Sequence, residues 1–309
     1  VYDISISNKC EVKMAKVIMI GNQKGGVGKT MISHELSALF VRRGKKVLGI
    51  DIDGQRDFSR YSDISFAKRI PTIRDILLEI KDIKTQSALG EQKINNSDYD
   101  DFEGEDDGDI IDQAIQHTKE GYDIIIASKK LANASADFGE PNDIYLLQDL
   151  ISSLSDDYDY IIIDCAPARS PLLYMSYIAS DYCICIAESD EGSREGVRQT
   201  YADIALLKEK NTTKVVMLGT LLNKYKDANV QVEQYQALCD LGVTTNAMPF
   251  DTAIPLGVAA TEANNKHMCV YEYMQSGNRE IKKKSKSLVD QFDKLADEIE
   301  NRIIELEGK

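Results

Sequence analysis

The chain has 309 residues, with 51 acidic and 37 basic side chains and a formal net charge of −14 at pH 7. A hydrophobic content of 43% supports a full core, which excludes a disordered chain. No apolar run approaches the ~20 residues that span a bilayer, and the six cysteines contain no C-x-x-C pair. We therefore expect a cytoplasmic globular protein with reduced cysteines and no membrane partner.

The acidic excess is unevenly distributed along the chain. Residues 1–190 carry 33 acidic against 21 basic side chains, whereas residues 191–309 carry 18 against 16. Residues 98–109 alone contain eight acidic side chains and no basic one. We predict that residues 86–109 form a mobile acidic insertion, and we favour a solvated loop over a partner-binding arm. The charge balance allows a surface for nucleic acid only in the C-terminal part.

Apolar strand-like runs alternate with helix-length amphipathic segments. The predicted strands are 17–20, 46–50, 122–127, 158–164, 182–187 and 215–222, and the predicted helices are 29–43, 72–80, 143–154, 171–179, 194–210 and about 280–307. Continuous isoleucine runs such as 124–126 and 161–163 are typical of strands buried on both faces of a parallel sheet. The alternation predicts an α/β fold, a doubly wound and mostly parallel sheet with helices on both faces. We expect a single domain over residues 1–309, with ligands at the carboxyl ends of the strands.

A glycine-rich turn, KGGVGKT at residues 24–30, lies between the first predicted strand and the first predicted helix. Such a turn aims several backbone N–H groups at one point, and the helix N-terminus adds partial positive charge. This pattern indicates a phosphate-binding loop in which Lys29 reaches the β- and γ-phosphates and the Thr30 hydroxyl ligates Mg²⁺. The strict pattern G-x-x-x-x-G-K-[ST] is broken at Gln23, and a second lysine, Lys24, stands inside the loop.

With that second lysine, the loop resembles the deviant P-loop of the ParA/MinD family, and the chain is similar to a ParA-type partition ATPase. The resemblance implies ATP and Mg²⁺ as cofactors and hydrolysis of ATP to ADP and phosphate. It also implies that Lys24 reaches across an ATP-dependent homodimer to the partner's nucleotide and, with Lys29, serves catalysis. The implied nucleotide-binding loop residues are Gly25, Gly26, Val27, Gly28, Lys29, Thr30 and Met31.

Aspartates close two of the predicted strands. The second strand ends in D-I-D at residues 51–53, where a carboxylate can face the γ-phosphate. The resemblance implies that Asp53 positions or deprotonates the attacking water, while Asp51 helps to organise Mg²⁺ or the loop. The strand at 158–164 closes on Asp164, the Walker B arrangement that holds Mg²⁺ directly or through a water. Arg169 follows closely, either as a charge stabiliser in the transition state or as a surface residue, and we favour the surface.

Two later segments resemble the positions at which the family binds the base. Asn223 follows the strand at 215–222, where family members hydrogen-bond adenine through an asparagine. Pro249 lies in a segment that resembles the base-flanking loop. The resemblance therefore implies that both residues bind the nucleotide.

A basic cluster precedes the amphipathic C-terminal helix. It consists of Arg279, Lys282, Lys283, Lys284 and Lys286. Cations at a helix N-terminus oppose the macrodipole, so the cluster has no evident local stabilising purpose. Contact with DNA phosphates, independent of sequence, and a solvated face are the two explanations that the pattern leaves open.

Together with the resemblance, these features predict a nucleoid-associated partition protein that binds DNA non-specifically in its ATP state. A centromere-binding, ParB-like adaptor would stimulate slow hydrolysis, and repeated cycles would segregate plasmid or chromosomal DNA. The alternatives are a MinD-like positioning ATPase and an ATP-liganded regulator for which hydrolysis is dispensable. The acidic polar face of the C-terminal helix disfavours membrane binding, because anionic lipid would repel it.

Overall fold

An eight-stranded sheet forms the centre of the protein in the computed structural model, which describes residues 14–66, 69–89, 109–226 and 228–308. The strand order is β3-β4-β2-β5-β1-β6-β7-β8. Neighbouring strands are parallel, except that β3 is antiparallel to β4. The strands are β1 (Lys16–Gly21), β2 (Val47–Asp51), β3 (Ile115–His117), β4 (Asp123–Ile125), β5 (Tyr160–Asp164), β6 (Tyr182–Ala187), β7 (Val216–Tyr225) and β8 (Ile254–Pro255).

Helices cover both faces of the sheet. In chain order they are α1 (Lys29–Arg42), α2 (Asp57–Tyr61), α3 (Ile73–Leu89), α4 (Ile110–Ala114), α5 (Ala134–Asp137), α6 (Leu146–Leu154), α7 (Pro171–Ala179), α8 (Glu191–Glu209), α9 (Ala228–Thr245), α10 (Val258–Asn264), α11 (Val270–Ser276) and α12 (Arg279–Glu307). Two short 3₁₀ helices, Lys129–Asn133 and Asp143–Tyr145, lie within the connections.

Alternate residues of each central strand point into two separate apolar layers. In β1, Val17 and Met19 join the layer formed by α3, α6, α7, α8 and α9. Ile18 and Ile20 join the opposite layer, formed by α1, α2, α10, α11 and α12. Because the central strands are buried on both faces, their sequences read as continuous apolar runs. The predicted doubly wound, mostly parallel α/β fold is confirmed.

Several elements depart from the sequence prediction. The structure adds an antiparallel edge strand, β3, and the C-terminal elements α9, β8, α10 and α11. The predicted strand at 122–127 is shorter, because only Asp123–Ile125 pairs as β4. Helix α3 continues through Leu89, so the first four residues of the predicted insertion are helical. Of the rest of the predicted insertion, residues 90–108 lie outside the described residues, and Asp109 caps the start of α4.

The C-terminal helix α12 packs along its own domain. Its apolar stripe is buried against α1 and α11, and consists of Leu288, Val289, Phe292, Leu295, Ala296, Ile299 and Ile303. The guanidinium of Arg43, at the end of α1, donates to the carboxylate of Glu300 at 2.8 Å and to the carbonyl of Asp293 at 2.6 Å. Across the described ranges, none of the helices is long and apolar enough to cross a membrane.

Candidate functional site

The glycine-rich loop joins β1 to α1, and its last glycine has two separate structural requirements. Gly28 has a φ of +93°, in the left-handed region, and a Cβ there would lie 2.3 Å from Nδ2 of Asn223. Gly28 also precedes the first helical residue, and no side chain caps the start of α1. The first N–H groups of the helix therefore remain available to an anion.

Lys29 is the first residue of α1, and its ammonium lies inside the loop. The side chain is buried, and its Nζ donates to the carbonyl of Lys24 at 3.1 Å. Burial lowers the pKa of Lys29, and the nearby Asp164 carboxylate counteracts this lowering. An ammonium held against the loop backbone is positioned to meet phosphate oxygens that enter the loop.

Thr30 and Asp164, the two strongest sequence candidates for Mg²⁺ ligands, lie together. Oγ1 of Thr30 donates to Oδ2 of Asp164 at 2.8 Å, and Oγ of Ser33 donates to Oδ1 at 2.9 Å. Hydroxyl and carboxylate oxygens are ligands that Mg²⁺ prefers, so this donor set fits the ion. Within the described ranges, no three or more His, Cys, Asp or Glu side chains lie together in a way that could hold a metal. A cation here would therefore take its other ligands from phosphate and water.

The carboxylates of Asp51 and Asp164 stand beside each other at the ends of β2 and β5. The two residues are register partners, and both are buried. Burial and the Asp51 carboxylate raise the pKa of Asp164 well above its ordinary value. Burial likewise raises the pKa of Asp51, although hydrogen bonds from Ser59 and Asp53 oppose the rise. Two adjacent buried carboxylates are costly unless a proton or a cation neutralises them.

Asp51 and Asp53 have different surroundings. Asp51 accepts hydrogen bonds from the backbone N–H of Ser59 at 2.9 Å, from the Ser59 hydroxyl at 2.6 Å and from the backbone N–H of Asp53 at 3.1 Å. These bonds tie the end of β2 to α2, so Asp51 organises this loop. Asp53 instead lines the cleft beside the glycine-rich loop, and its Oδ1 accepts from the backbone N–H of Gln55 at 2.9 Å.

Asn223 and Lys224, at the end of β7, contact the glycine-rich loop from the side opposite β2. Nδ2 of Asn223 donates to the carbonyl of Val27 at 2.8 Å, while its buried Oδ1 has no hydrogen-bond partner in the described part of the chain. Lys224 adopts a φ of +55°, and its ammonium donates to the carbonyl of Gly26 and, at 2.8 Å, to Glu188. The structure thus adds Lys224 to the site, where the sequence indicated only the preceding Asn223.

These elements enclose a cleft of about 470 Å³ at the carboxyl ends of the strands. Its lining consists of Gly25, Gly26, Gly28, Lys29, Thr30, Met31, Asp53, Gln55, Asp57, Tyr61, Pro167, Asn223, Lys224, Pro255, Leu256, Gly257, Ala260, Thr261, Asn264 and Asn265. The structure does not bring Pro249 to this lining, since its carbonyl accepts from the Arg302 guanidinium at 2.6 Å. Pro255 and Leu256, which the sequence analysis did not single out, line the cleft instead.

Lys24 points away from the cleft and forms an ion pair with Asp190 at the start of α8. Asp190 also caps α8, accepting from the backbone N–H of Ser193 at 3.0 Å and from its hydroxyl at 2.9 Å. The Lys24 backbone N–H donates to Asn22 at 2.8 Å, and the Asn22 amide in turn donates to the carbonyls of Ile186 and Ser193. The lysine is thus held within its own subunit, on a surface where both charged side chains are about two-fifths exposed.

Arg169 lies at the surface, as the sequence analysis favoured, and also pairs with a buried carboxylate. Its side chain is 55% exposed, but its guanidinium donates two hydrogen bonds to the buried carboxylate of Asp203, at 2.9 and 3.1 Å. The same carboxylate accepts from Nε2 of Gln23 at 2.6 Å. Asp203, on α8, therefore joins the segment that follows Asp164 to the residue just before Lys24.

The basic cluster surrounds the first turns of α12, which Asn278 caps through its side chain. All five members are exposed: Arg279, Lys282, Lys283, Lys284 and Lys286. Lys284 forms an ion pair with Glu262 on α10. Since Ala260, Thr261 and Asn264 of α10 line the cleft, the basic cluster lies next to a wall of the site.

A glycine-rich loop before a helix, a buried lysine in that loop and a Thr–Asp pair at the strand ends define a P-loop nucleotide-binding site. A family model described as an AAA domain matches residues 15–217, and the chain belongs to this family. Among its sequence relatives, the chromosome partitioning protein ParA of Caulobacter vibrioides is 24% identical over 279 residues, 89% of this chain and 94% of that protein, so the chain is similar to partition proteins of the ParA type.

The sequence relative Soj, a sporulation initiation inhibitor protein of Bacillus subtilis, is 28% identical over 267 residues. That match covers 85% of this chain and 94% of Soj. The ATP complex of McdA from Cyanothece has the same fold, with a TM-score of 0.67 and 19% identity over 91% of this chain and 97% of that one. MinD from Pyrococcus horikoshii, complexed with Mg-ADP, gives a TM-score of 0.62 and 20% identity over 91% of this chain and 96% of that one.

Proposed function

We propose that the protein binds ATP with Mg²⁺ in the cleft and hydrolyses it to ADP and phosphate. The open helix N-terminus, the buried Lys29 and the Thr30–Asp164 pair support binding of a phosphate–cation complex. The structures of McdA and MinD named above contain ATP and Mg-ADP respectively. The relation to partition proteins supports ATP as the natural nucleotide of this site.

Each side chain of the cleft then has a separate role. When bound, Mg²⁺ supplies charge neutralisation at the phosphates. Lys29 and the loop N–H groups bind the β- and γ-phosphate oxygens, Thr30 and Asp164 hold the cation, and Asp53 orients the attacking water. The unpaired Oδ1 of Asn223 is a hydrogen-bond acceptor that suits the amino group of adenine.

Lys24 extends the proposal to a homodimer that forms with ATP. In the single subunit its ammonium is bound to Asp190, on a partly exposed surface rather than in the cleft. Exchange of that carboxylate for the phosphates of a partner subunit's nucleotide would link self-association to bound ATP. The position of this second lysine, beside a complete phosphate-binding site, is the observation that carries the proposed partition-type function.

The proposed ATP-bound dimer binds DNA without sequence preference, through the basic cluster of α12. Lys282, Lys283 and Lys286 are exposed, and α10 connects this cluster to the cleft wall. Arg194 and Arg198 contribute less positive charge to such a surface, because both form ion pairs with Glu191. A centromere-binding, ParB-like adaptor would stimulate hydrolysis and release the DNA, which would make the protein nucleoid-associated and drive segregation of plasmid or chromosomal DNA.

The positioning alternative requires a membrane-binding element. The C-terminal helix does not supply one in this conformation, because its apolar stripe is buried in the domain. The regulator alternative predicts that a hydrolysis-deficient variant keeps its biological function, whereas the partition cycle requires turnover.

The first test is fluorescence anisotropy of a random-sequence DNA duplex titrated with protein under Mg-ATP, Mg-ADP and no nucleotide. Tight, salt-sensitive binding with ATP alone is the expected result. Equal binding in all three states, or none, would contradict the proposed DNA-bound switch.

A variant with Lys282→Gln, Lys283→Gln and Lys286→Gln should lose this binding while it retains ATP. The matched control is Lys208→Gln with Lys210→Gln, two exposed lysines at the opposite end of α8 from Asp190, the ion-pair partner of Lys24. DNA binding that survives the triple substitution would remove the basic cluster as the DNA surface. Adaptor stimulation is measured as phosphate release with and without the candidate centromere-binding protein.

A further inference from the structure

A second cavity, of about 220 Å³, lies further along α1, where this helix meets the start of α11 and the middle of α12. It shares no lining residue with the nucleotide cleft. Its lining consists of Glu35, Ala38, Leu39, Val41, Arg42, Glu120, Cys269, Tyr271, Glu272, Val289 and Phe292. Its walls are therefore mostly apolar, with three carboxylates among them.

The charges around this cavity do not balance. The basic side chain of its lining is Arg42, whose guanidinium already pairs with Asp293 on α12. The guanidinium also lies over the Tyr271 ring, 4.2 Å from its centre. When they are ionised, three carboxylates against one engaged cation give a negative potential in this low-dielectric space, which a bound proton or a bound cation relieves.

Glu120 is the least satisfied group of this cavity. Its side chain is 1% exposed, and in the described part of the chain no N–H or hydroxyl group donates to its carboxylate oxygens. The nearest basic group is the imidazole of His34, whose Nε2 lies 3.7 Å from Oε1 and which is itself without hydrogen bonds. A buried carboxylate without donors is costly, so the site is incomplete as it stands.

The two other carboxylates, Glu35 and Glu272, also have few hydrogen-bond donors to stabilise their ionised forms. Glu35 accepts one hydrogen bond, from the backbone N–H of Val270 at 2.8 Å, and burial raises the pKa of Glu35 to about 8. Burial, the neighbouring Glu120 carboxylate and a side-chain hydrogen bond shared with Glu120 also raise the pKa of Glu272, while Lys119 opposes the rise. Both acids thus favour a bound proton in the place of a missing cation.

We propose that this cavity is a binding site for a small organic cation, a primary ammonium on a short aliphatic chain. An ammonium presents three N–H donors, one for each of Glu35, Glu120 and Glu272. The aliphatic chain would pack against Leu39, Val289 and Phe292. A cavity of about 220 Å³ holds the volume of roughly seven waters at about 30 Å³ each, which is ample for a four-carbon amine.

Other occupants fit less well. The described residues form no metal-binding group here, and the apolar walls give a bare metal ion too few oxygen ligands. Water could satisfy Glu120, but it would leave the negative charge uncompensated. A neutral alkyl compound would fill the space and leave the carboxylates as they are.

The test is isothermal titration calorimetry of the nucleotide-free protein with n-butylammonium chloride at pH 7.5. Ammonium chloride carries the charge without the chain, and 1-butanol carries the chain without the charge. Saturable binding that is strongest for n-butylammonium is the expected result. Repeating the titration in two buffers of different ionisation enthalpy should show proton release, because the cation replaces protons held by the acids.

Variants separate this site from general salt effects. Glu120→Gln should weaken n-butylammonium binding about ten- to hundredfold, the effect of losing one charge-assisted hydrogen bond. Ala38→Leu, which fills the cavity, should abolish binding, and the exposed Glu305→Gln should leave it unchanged. Absence of saturable binding, equal binding of 1-butanol, or equal effects of Glu120→Gln and Glu305→Gln would overturn the proposal. None of these outcomes depends on nucleotide, so they are distinct from the tests of ATPase function.

Discussion

Asp164 and Asp51 are register partners on neighbouring parallel strands, and their buried carboxylates stand side by side below the glycine-rich loop. This arrangement suits a bound cation and disfavours the ligand-free protein. We predict that Asp164→Asn stabilises the ligand-free protein by about 0.5–2 kcal/mol and abolishes Mg²⁺-dependent nucleotide affinity. Thermal unfolding with and without Mg-ADP measures both effects. A variant that is destabilised without ligand would show that the carboxylate pair carries no such cost.

Glu35 predicts a pH dependence of stability that is separate from the nucleotide site. Burial raises the pKa of Glu35 from 4.5 to about 8, so the folded protein binds this proton more tightly than the unfolded chain. The resulting contribution to stability is fully present below pH 4.5 and is lost as the pH rises through about 8. Urea unfolding between pH 5 and pH 9 should therefore show a decline that Glu35→Gln flattens. The control Glu305→Gln should keep the pH profile of the unsubstituted protein. If Glu35→Gln kept that profile as well, the assignment to Glu35 would be contradicted.

The ion pair between Lys24 and Asp190 predicts opposite effects for its two partners. Lys24→Ala should remove ATP-dependent dimers, since no other residue is proposed to bridge the subunits. Asp190→Asn should strengthen them by up to about fivefold, because it frees a lysine from a partly exposed ion pair worth about 0–1 kcal/mol. Asparagine is also a good N-cap, so α8 keeps its start. Sedimentation velocity with ATP checks both, and a Lys24→Ala protein that still dimerises would show that this lysine does not bridge the subunits.

Substitution of Asp53 should separate ATP binding from ATP hydrolysis. It lines the cleft and accepts one backbone hydrogen bond, whereas Asp51 and Asp164 carry the buried contacts. Asp53→Ala should therefore keep ATP-bound dimers and slow hydrolysis about a hundredfold or more, the range expected for loss of a positioned base. Phosphate release and sedimentation in parallel test this, and a normal rate of phosphate release would rule out its assigned role.

Site residues that are close together in the sequence, or that end a strand, could be predicted from the sequence. The loop from Gly25 to Thr30 is contiguous, so its spacing alone indicates a phosphate cradle. Asp164 was placed because parallel strands end at one edge of the sheet, and the structure brings it to Thr30. The fold class followed from the same alternation of buried strands and helices.

Contacts between segments that are far apart in the sequence could not be predicted from it. Asp190 and Asp203 follow Lys24 and Gln23 by 166 and 180 residues, and no local pattern encodes these pairings. Strand β8 has two residues and β3 has three, which is too short for periodicity to detect. Part of the cleft wall is formed by Pro255 at the end of β8 and by Leu256 directly after it, and these residues carry no recognisable motif.

Asp203 forms a junction between two segments of the site. Its buried carboxylate accepts from Arg169 and from Gln23, so it connects the segment after Asp164 to the start of the phosphate-binding loop. Asp203→Ala leaves the Gln23 amide without this acceptor, although Arg169 can turn to solvent. We expect a loss of stability of about 1–3 kcal/mol, the cost of breaking a part-buried hydrogen-bond network.

The same substitution should lower the rate of ATP hydrolysis more than it weakens nucleotide binding, since Asp203 does not line the cleft. Arg169→Lys, which keeps the charge but loses the two-pronged geometry, should show a smaller effect of the same sign. Single-turnover hydrolysis and nucleotide titration, compared with urea unfolding, measure the three quantities. If Asp203→Ala changed stability alone and left hydrolysis intact, the junction would be a structural tie with no influence on the loops that surround the phosphate.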